Sequence, residues 1–189
     1  TFTKVALAGS ANLVTLNNID NNDTVQVTGA NAGGVTLAGS SGSGVDTLNI
    51  KLVNTGNALA AFGTFTTPNT ETVVITSTDA QVTPVGYYNS MTLVDTAASS
   101  ITVNGNSGLD LTFAGTALTT FDASGVTLGG VKFTSGAQAY AVDVKGTVKG
   151  GDTLNFNSAL AATTITATAG TNALTGSNTV ASTITGGTG

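Results

Sequence analysis

Between residues 101 and 133 the chain repeats itself in steps of ten. The run ITVNGNSGLDLTFAGTALTTFDASGVTLGGVKF holds four short apolar alternations, and three of them close on Gly105, Gly115 and Gly125. Followed outward, strand-like starts fall at Val73, Val82, Met91, Ile101, Leu111, Phe121, Val131, Val142, Leu154, Ile165, Leu174 and Ile184, spaced nine to twelve residues apart. A hairpin meander tolerates wider scatter. A coil whose successive passes stack on one another does not, because every pass has nearly the same circumference.

Inside each unit the apolar residues stand two apart: Ile101 and Val103, Leu111 and Phe113, Val131 and Phe133, Val142 and Val144, Leu154 and Phe156. Period two places both on one face of a strand, here the inner face, with Thr, Asn and Lys outward and Gly at the corners. Two half-turns make a rung of about 20 residues, which predicts an all-β, parallel β-solenoid. Residues 71–189 form its regular part, some five or six rungs stacked at roughly 4.8 Å into a rod about 25 to 30 Å long. Residues 1–70 carry the same alternation in NDTVQVTG, GVTLAG and VDTLNIKL at uneven separations, and are expected to be an irregular β region or a capping part. Two alanine-rich runs, TGNALAAFGTF (55–65) and NSALAATT (157–164), have the composition for one helical turn each.

Composition removes whole classes of function. Charged residues are 8% of the chain, far below the usual quarter, yet 40% is hydrophobic, which is not the signature of disorder. Ten acids face five lysines, with no Arg and no His, so phosphate neutralisation and nucleic-acid binding are not expected. Without Cys there is no disulfide framework or thiol chemistry, and no apolar run approaches the roughly 18 to 20 residues of a membrane span. The opening TFTKVALAGSANLV lacks an initiator Met and a cleavage site, and the closing TITGGTG stops inside a glycine pattern, so the chain is expected to be a segment of a longer one.

The acids form a second repeat. NDTV, VDTL, TETV and GDTL each set a carboxylate two residues before an apolar strand start. SGSGVDTLN (41–49) meets the calcium nonapeptide G-G-x-G-x-D-x-U-x at every defined position but the first, including Gly44 and Asp46. TVKGGDTLN keeps Gly150 and Asp152, whereas ATAGTNALT has Asn172 in place of Asp. Ca²⁺ takes six to eight oxygens, which glycine turns and one Asp per turn supply when two motifs face each other. The competing reading is that an Asp before a strand bonds its own backbone and makes the turn. Both readings stand for Asp46 and Asp152, and for Asp20 and Asp23 among the four Asn of NNIDNNDT.

The strand openings NIDNNDTVQVTGA, VDTLNI and ETVVITS, the run from 101 to 127, and the trailing LTGSNTVASTITGGTG together resemble bacterial RTX-type surface-layer (S-layer) proteins, in the segment near or leading into the calcium-binding repeats. The resemblance implies an extracellular β-solenoid at the bacterial cell surface that binds Ca²⁺ and tiles with copies of itself into a lattice. It also implies type I export through a C-terminal signal that these residues do not contain, and contact with cell-surface polysaccharide through other parts of the parent chain. The alternative is a stalk or binding module of a large secreted RTX adhesin. For either, PVGYYNSM (84–91) is the candidate contact loop, with Tyr87 and Tyr88 adjacent so that one faces outward.

No catalytic residues are assigned. Asp110 and Asp122, read as corner residues, are the carboxylates with a spacing that allows approach, but there is no Arg or His beside them and no Trp to stack a sugar. Serines are plentiful and lack a His to activate them. No nucleic acid or membrane insertion is expected. Thr-x-Thr motifs of the kind that bind ice occur at 1–3, 64–66, 164–166 and 183–185, and their spacing in sequence does not suggest a stacked ladder.

Overall fold

The computed structural model describes residues 3–38, 44–56, 58–67, 69–80 and 89–187. In chain order the strands are β1 (Lys4–Ala8), β2 (Val14–Asn17), β3 (Thr24–Thr28), β4 (Val35–Ala38), β5 (Thr47–Asn54) and β6 (Ala60–Thr66). They continue as β7 (Thr72–Asp79), β8 (Asn89–Val94), β9 (Ser100–Gly105), β10 (Leu109–Phe113), β11 (Thr120–Val126) and β12 (Val131–Ser135). The last are β13 (Val142–Lys145), β14 (Thr153–Asn155), β15 (Thr163–Thr166), β16 (Ala173–Thr175) and β17 (Thr183–Thr185). Odd-numbered strands line up in order in a nine-stranded sheet A and even-numbered strands in an eight-stranded sheet B, with every pairing parallel. The chain is thus a β-solenoid of about 8 turns with rungs near 22 residues. Each step of ten in the sequence is one half-turn.

Alternation decides what faces inward. In β7 and β10 every second residue is buried, and Ile101, Val103, Leu111, Phe113, Val131, Phe133, Val144, Leu154 and Phe156 are all at most 1% exposed. Phe121 from sheet A stacks on Phe133 from sheet B at 4.1 Å between ring centroids, and Phe133 meets Phe156 at 5.2 Å. A few inward positions are polar, which the alternation did not foretell. Asn89 opens β8 with its amide nitrogen donating to Ser77 Oγ (2.9 Å), and Ser77 Oγ donates to Gly108 O (3.2 Å).

Strands from residues 1–70 belong to the same two sheets, with uneven rungs: Val35 pairs with Phe65 and Leu48 with Val73, against Leu109 with Val131 later on. Other expectations change. Neither alanine-rich run is helical over its described residues. Residues 60–66 are β6, because registering on β8 buries Ala60, Phe62 and Phe65, a gain that outweighs the local preference of Ala. Residues 157–162 are a corner before β15. Of the spaced glycines, Gly105 ends β9 at φ +119°, as a corner requires, but Gly125 lies inside β11. Its place there follows from close approach: a Cβ would overlap the side-chain oxygen of Asn104, its registered partner in β9. Val82 lies outside the described residues.

Candidate functional site at the acid-bearing corners

Two kinds of corner alternate along the rod, one leading from sheet B into sheet A and one from A into B. Asp20, Asp23 and Asp46 lie at the first kind, just before β3 and β5, whereas Asp152 lies at the second, just before β14. The structure therefore groups the first three and separates the fourth.

At the first corner, Asp23 is buried and its carboxylate accepts the N–H of Asp20 (2.8 Å), while Asn22 takes a positive φ of 68°. That is the Asx-type turn chemistry of a short polar side chain bonding its own backbone. One rung on, the corner is clamped from both sides: Asn21 Oδ1 accepts the N–H of Thr47 (2.9 Å) and Glu71 Oε2 accepts the N–H of Asp46 (2.8 Å). Asp46 and Asp20 both line a small cavity, with Asn21, Thr67 and Thr70 among its other walls, that has room for about one water molecule. Gly44 is exposed, and a Cβ there would meet nothing.

Asp152 shows the ladder in its clearest form. Its Oδ1 accepts the N–H of Val131 (2.9 Å), its Oδ2 that of Thr147 (2.9 Å), and its own N–H donates to Asn172 Oδ1 (2.9 Å). Val131, Asp152 and Asn172 occupy equivalent positions in three successive rungs, one step before the paired residues Lys132, Thr153 and Ala173. One side-chain oxygen of Asp152 and one of Asn172 thus serve the backbone of the preceding rung, and Asn does this as well as Asp, while Asp152 Oδ2 closes its own corner on Thr147. Gly150, at φ +73°, makes the turn, its N–H donating to Thr147 Oγ1 (3.1 Å), and a Cβ there would overlap Ala169 O. Burial pushes the Asp152 carboxyl above its ordinary range, against the hydrogen bonds from Val131 and Thr147.

Sequence reasoning passed over Asp95. It is 1% exposed and accepts from Thr67 Oγ1 (2.6 Å) and from the N–H groups of Ala97 (2.8 Å) and Ala98 (3.1 Å), and burial again raises its carboxyl. The only signal was DTAA following a strand. Gln138 is a second such residue, with Oε1 accepting from Leu118 N–H (2.9 Å) and Nε2 donating to Gly115 O (2.7 Å).

Asp110 and Asp122 are not corner residues. They project outward from β10 and β11, on different sheets, and each pairs with the lysine one rung on: Lys132 at 2.9 Å and Lys145 at 3.5 Å. The motifs at 164–166 and 183–185 do stack, Thr164 beside Thr183 and Thr166 beside Thr185, because rung length there is shorter than average. The next rung presents Asp143 and Lys145 and ends that ladder. Tyr87 and Tyr88 lie outside the described residues. Among the described residues no group of three or more His, Cys, Asp or Glu is placed to hold a metal ion. Compared with known proteins, the chain matches no protein family and no curated sequence.

Proposed function

We propose that the chain is a structural, non-enzymatic segment of a calcium-dependent surface-layer lattice outside a bacterial cell, in the manner of the RTX-type proteins it resembles. The observation that carries this reading is the outer surface. Thr64, Thr92, Thr112 and Thr134 stand in register on four successive strands of sheet B, giving a row of hydroxyls with the period of the rungs, beside the self-neutralised Asp110–Lys132 pair. A rigid rod with repeating faces suits heterologous contacts that propagate in two dimensions. Net charge of −5 opposes self-association, and Ca²⁺ offsets it. Asp20 and Asp46, lining one cavity the size of a single water, are the carboxylates we assign to the ion, which would take that water's place. At Asp152 both oxygens already serve backbone donors, which favours the turn role there.

One observation favours the adhesin alternative. A shallow groove on sheet B, opened by the β6 bulge between Ala61 and Thr64, is lined by Ser90, Thr92, Asp110 and Thr112 and presents hydroxyls to a polar ligand. Negative-stain electron microscopy of the chain with calcium and then with chelator separates the two. Ordered sheets that appear only with calcium are expected; isolated rods in both conditions would remove the lattice reading.

A further inference from the structure

All fifteen charged residues of the chain lie within residues 1–152, and residues 153–189 carry none. From Gln138 onward the B-to-A corners are stacked: Leu160 N–H donates to Gln138 O (2.9 Å), and Thr179 Oγ1 donates to Ala159 O (3.3 Å). The stacking sets three exposed apolar side chains at successive levels of one corner. Tyr140 is 59% exposed, Leu160 62% and Val180 39%, each beside exposed alanines such as Ala141 and Ala162. A ridge of this kind, with a central aliphatic anchor, a tyrosine and no charge, has the composition of an interface core.

We propose that this ridge is a contact between two copies of the chain, packed antiparallel about a twofold axis. Charge selects the occupant. A chain of net −5 approaches its own copy where charge is least, and the corner residues 136–141, 156–162 and 176–182 hold none. Charge also selects the orientation. Asp143 is exposed on β13, three residues after Tyr140, so a parallel arrangement sets Asp143 against Asp143. The antiparallel one centres Leu160 on Leu160, sets Tyr140 against the smaller Val180, and lays Asp143 against the uncharged rung of Thr183. This contact would serve as one of the contacts of self-assembly, and it rests on that reading.

The test is sedimentation velocity of the whole chain over a concentration series in chelator, with Leu160→Lys, Tyr140→Ser and, as control, Val148→Lys on the other corner, where Val148 is 48% exposed. A wild-type dimer is expected, retained in V148K and weakened at least about tenfold in L160K and Y140S at unchanged circular dichroism. A wild type that stays monomeric, or an L160K that dimerises like wild type, overturns the contact. So does a monomer that floats with neutral phosphatidylcholine vesicles through Leu160, which would give the ridge to a lipid surface. Calcium-dependent sheets from a chain that never dimerises in chelator would sink this contact and leave the lattice standing; a ridge-dependent dimer with no sheets would do the reverse.

Discussion

Removing the Asp152 carboxylate strands two buried donors, the N–H groups of Val131 and Thr147. Each unpaired buried donor costs about 1–3 kcal/mol, so Asp152→Ala should destabilise the fold by about 2–5 kcal/mol in urea denaturation. Asp152→Asn keeps one acceptor and should cost less, as Asn172 does the same work one rung on. Acidity adds a sign to the comparison. Burial raises the Asp152 and Asp95 carboxyls, so each holds its proton more tightly folded than unfolded. The stability this contributes is complete below the unfolded value near ~3.9 and is lost as pH rises through the folded one. Asp122 runs the other way: burial pushes it up, but the Ser124 hydroxyl and N–H and Lys145 outweigh burial and lower it, so its contribution is lost on acidification. An amide does not titrate, so wild type should gain on Asp152→Asn as pH falls from neutrality to about pH 4. A gap that moves against wild type on acidification would refute the assignment.

Strands hold their place through what stacks beside them. β11 carries a register shift between Asp122 and Gly125, and a Cβ on Gly125 would meet the side-chain amide of Asn104 in β9. Gly125→Ala should therefore cost only about 0.5–1.5 kcal/mol, as the Asn104 amide swings aside, and the cost should shrink in an Asn104→Ala background. A double-mutant cycle read by thermal melting measures the coupling, and additive losses would locate the strain elsewhere. β6 makes the same point about element identity. Its alanines favour a helix locally, yet Phe62 and Phe65 have a core to enter only if the segment runs as a strand.

A rod of stacked turns is stabilised by neighbours, so whole turns are exchangeable and half-turns are not. Val142 pairs with Thr163, so deleting residues 142–162 joins β12 to β15 with both sheets continued in register. That chain should still fold cooperatively, with a lower melting temperature. Deleting residues 142–152 instead delivers β14 to sheet A and inverts the order of the sheets, and should abolish the β-sheet circular dichroism signal. Equal outcomes for the two deletions would argue against a solenoid whose unit is the full turn.

The period of ten and the alternation of two determined the architecture by themselves, because a stacked coil needs equal circumferences and a two-faced strand needs alternate residues apolar. They placed Ile101, Phe113 and Phe133 correctly in the core. The sites were less legible. An acid before a strand looks the same whether it completes a turn, as Asp23 does, or serves the neighbouring rung, as Asp152 does, since the partner lies about a full turn away in sequence. Rung length, which varies through the corners and the bulges of β6 and β11, decides which residues meet. It stacked Thr164 on Thr183, parted Asp110 from Asp122, and drew Tyr140, Leu160 and Val180 into one ridge. Those meetings belong to the tertiary structure, because one residue more or less in a corner shifts every side chain that follows it.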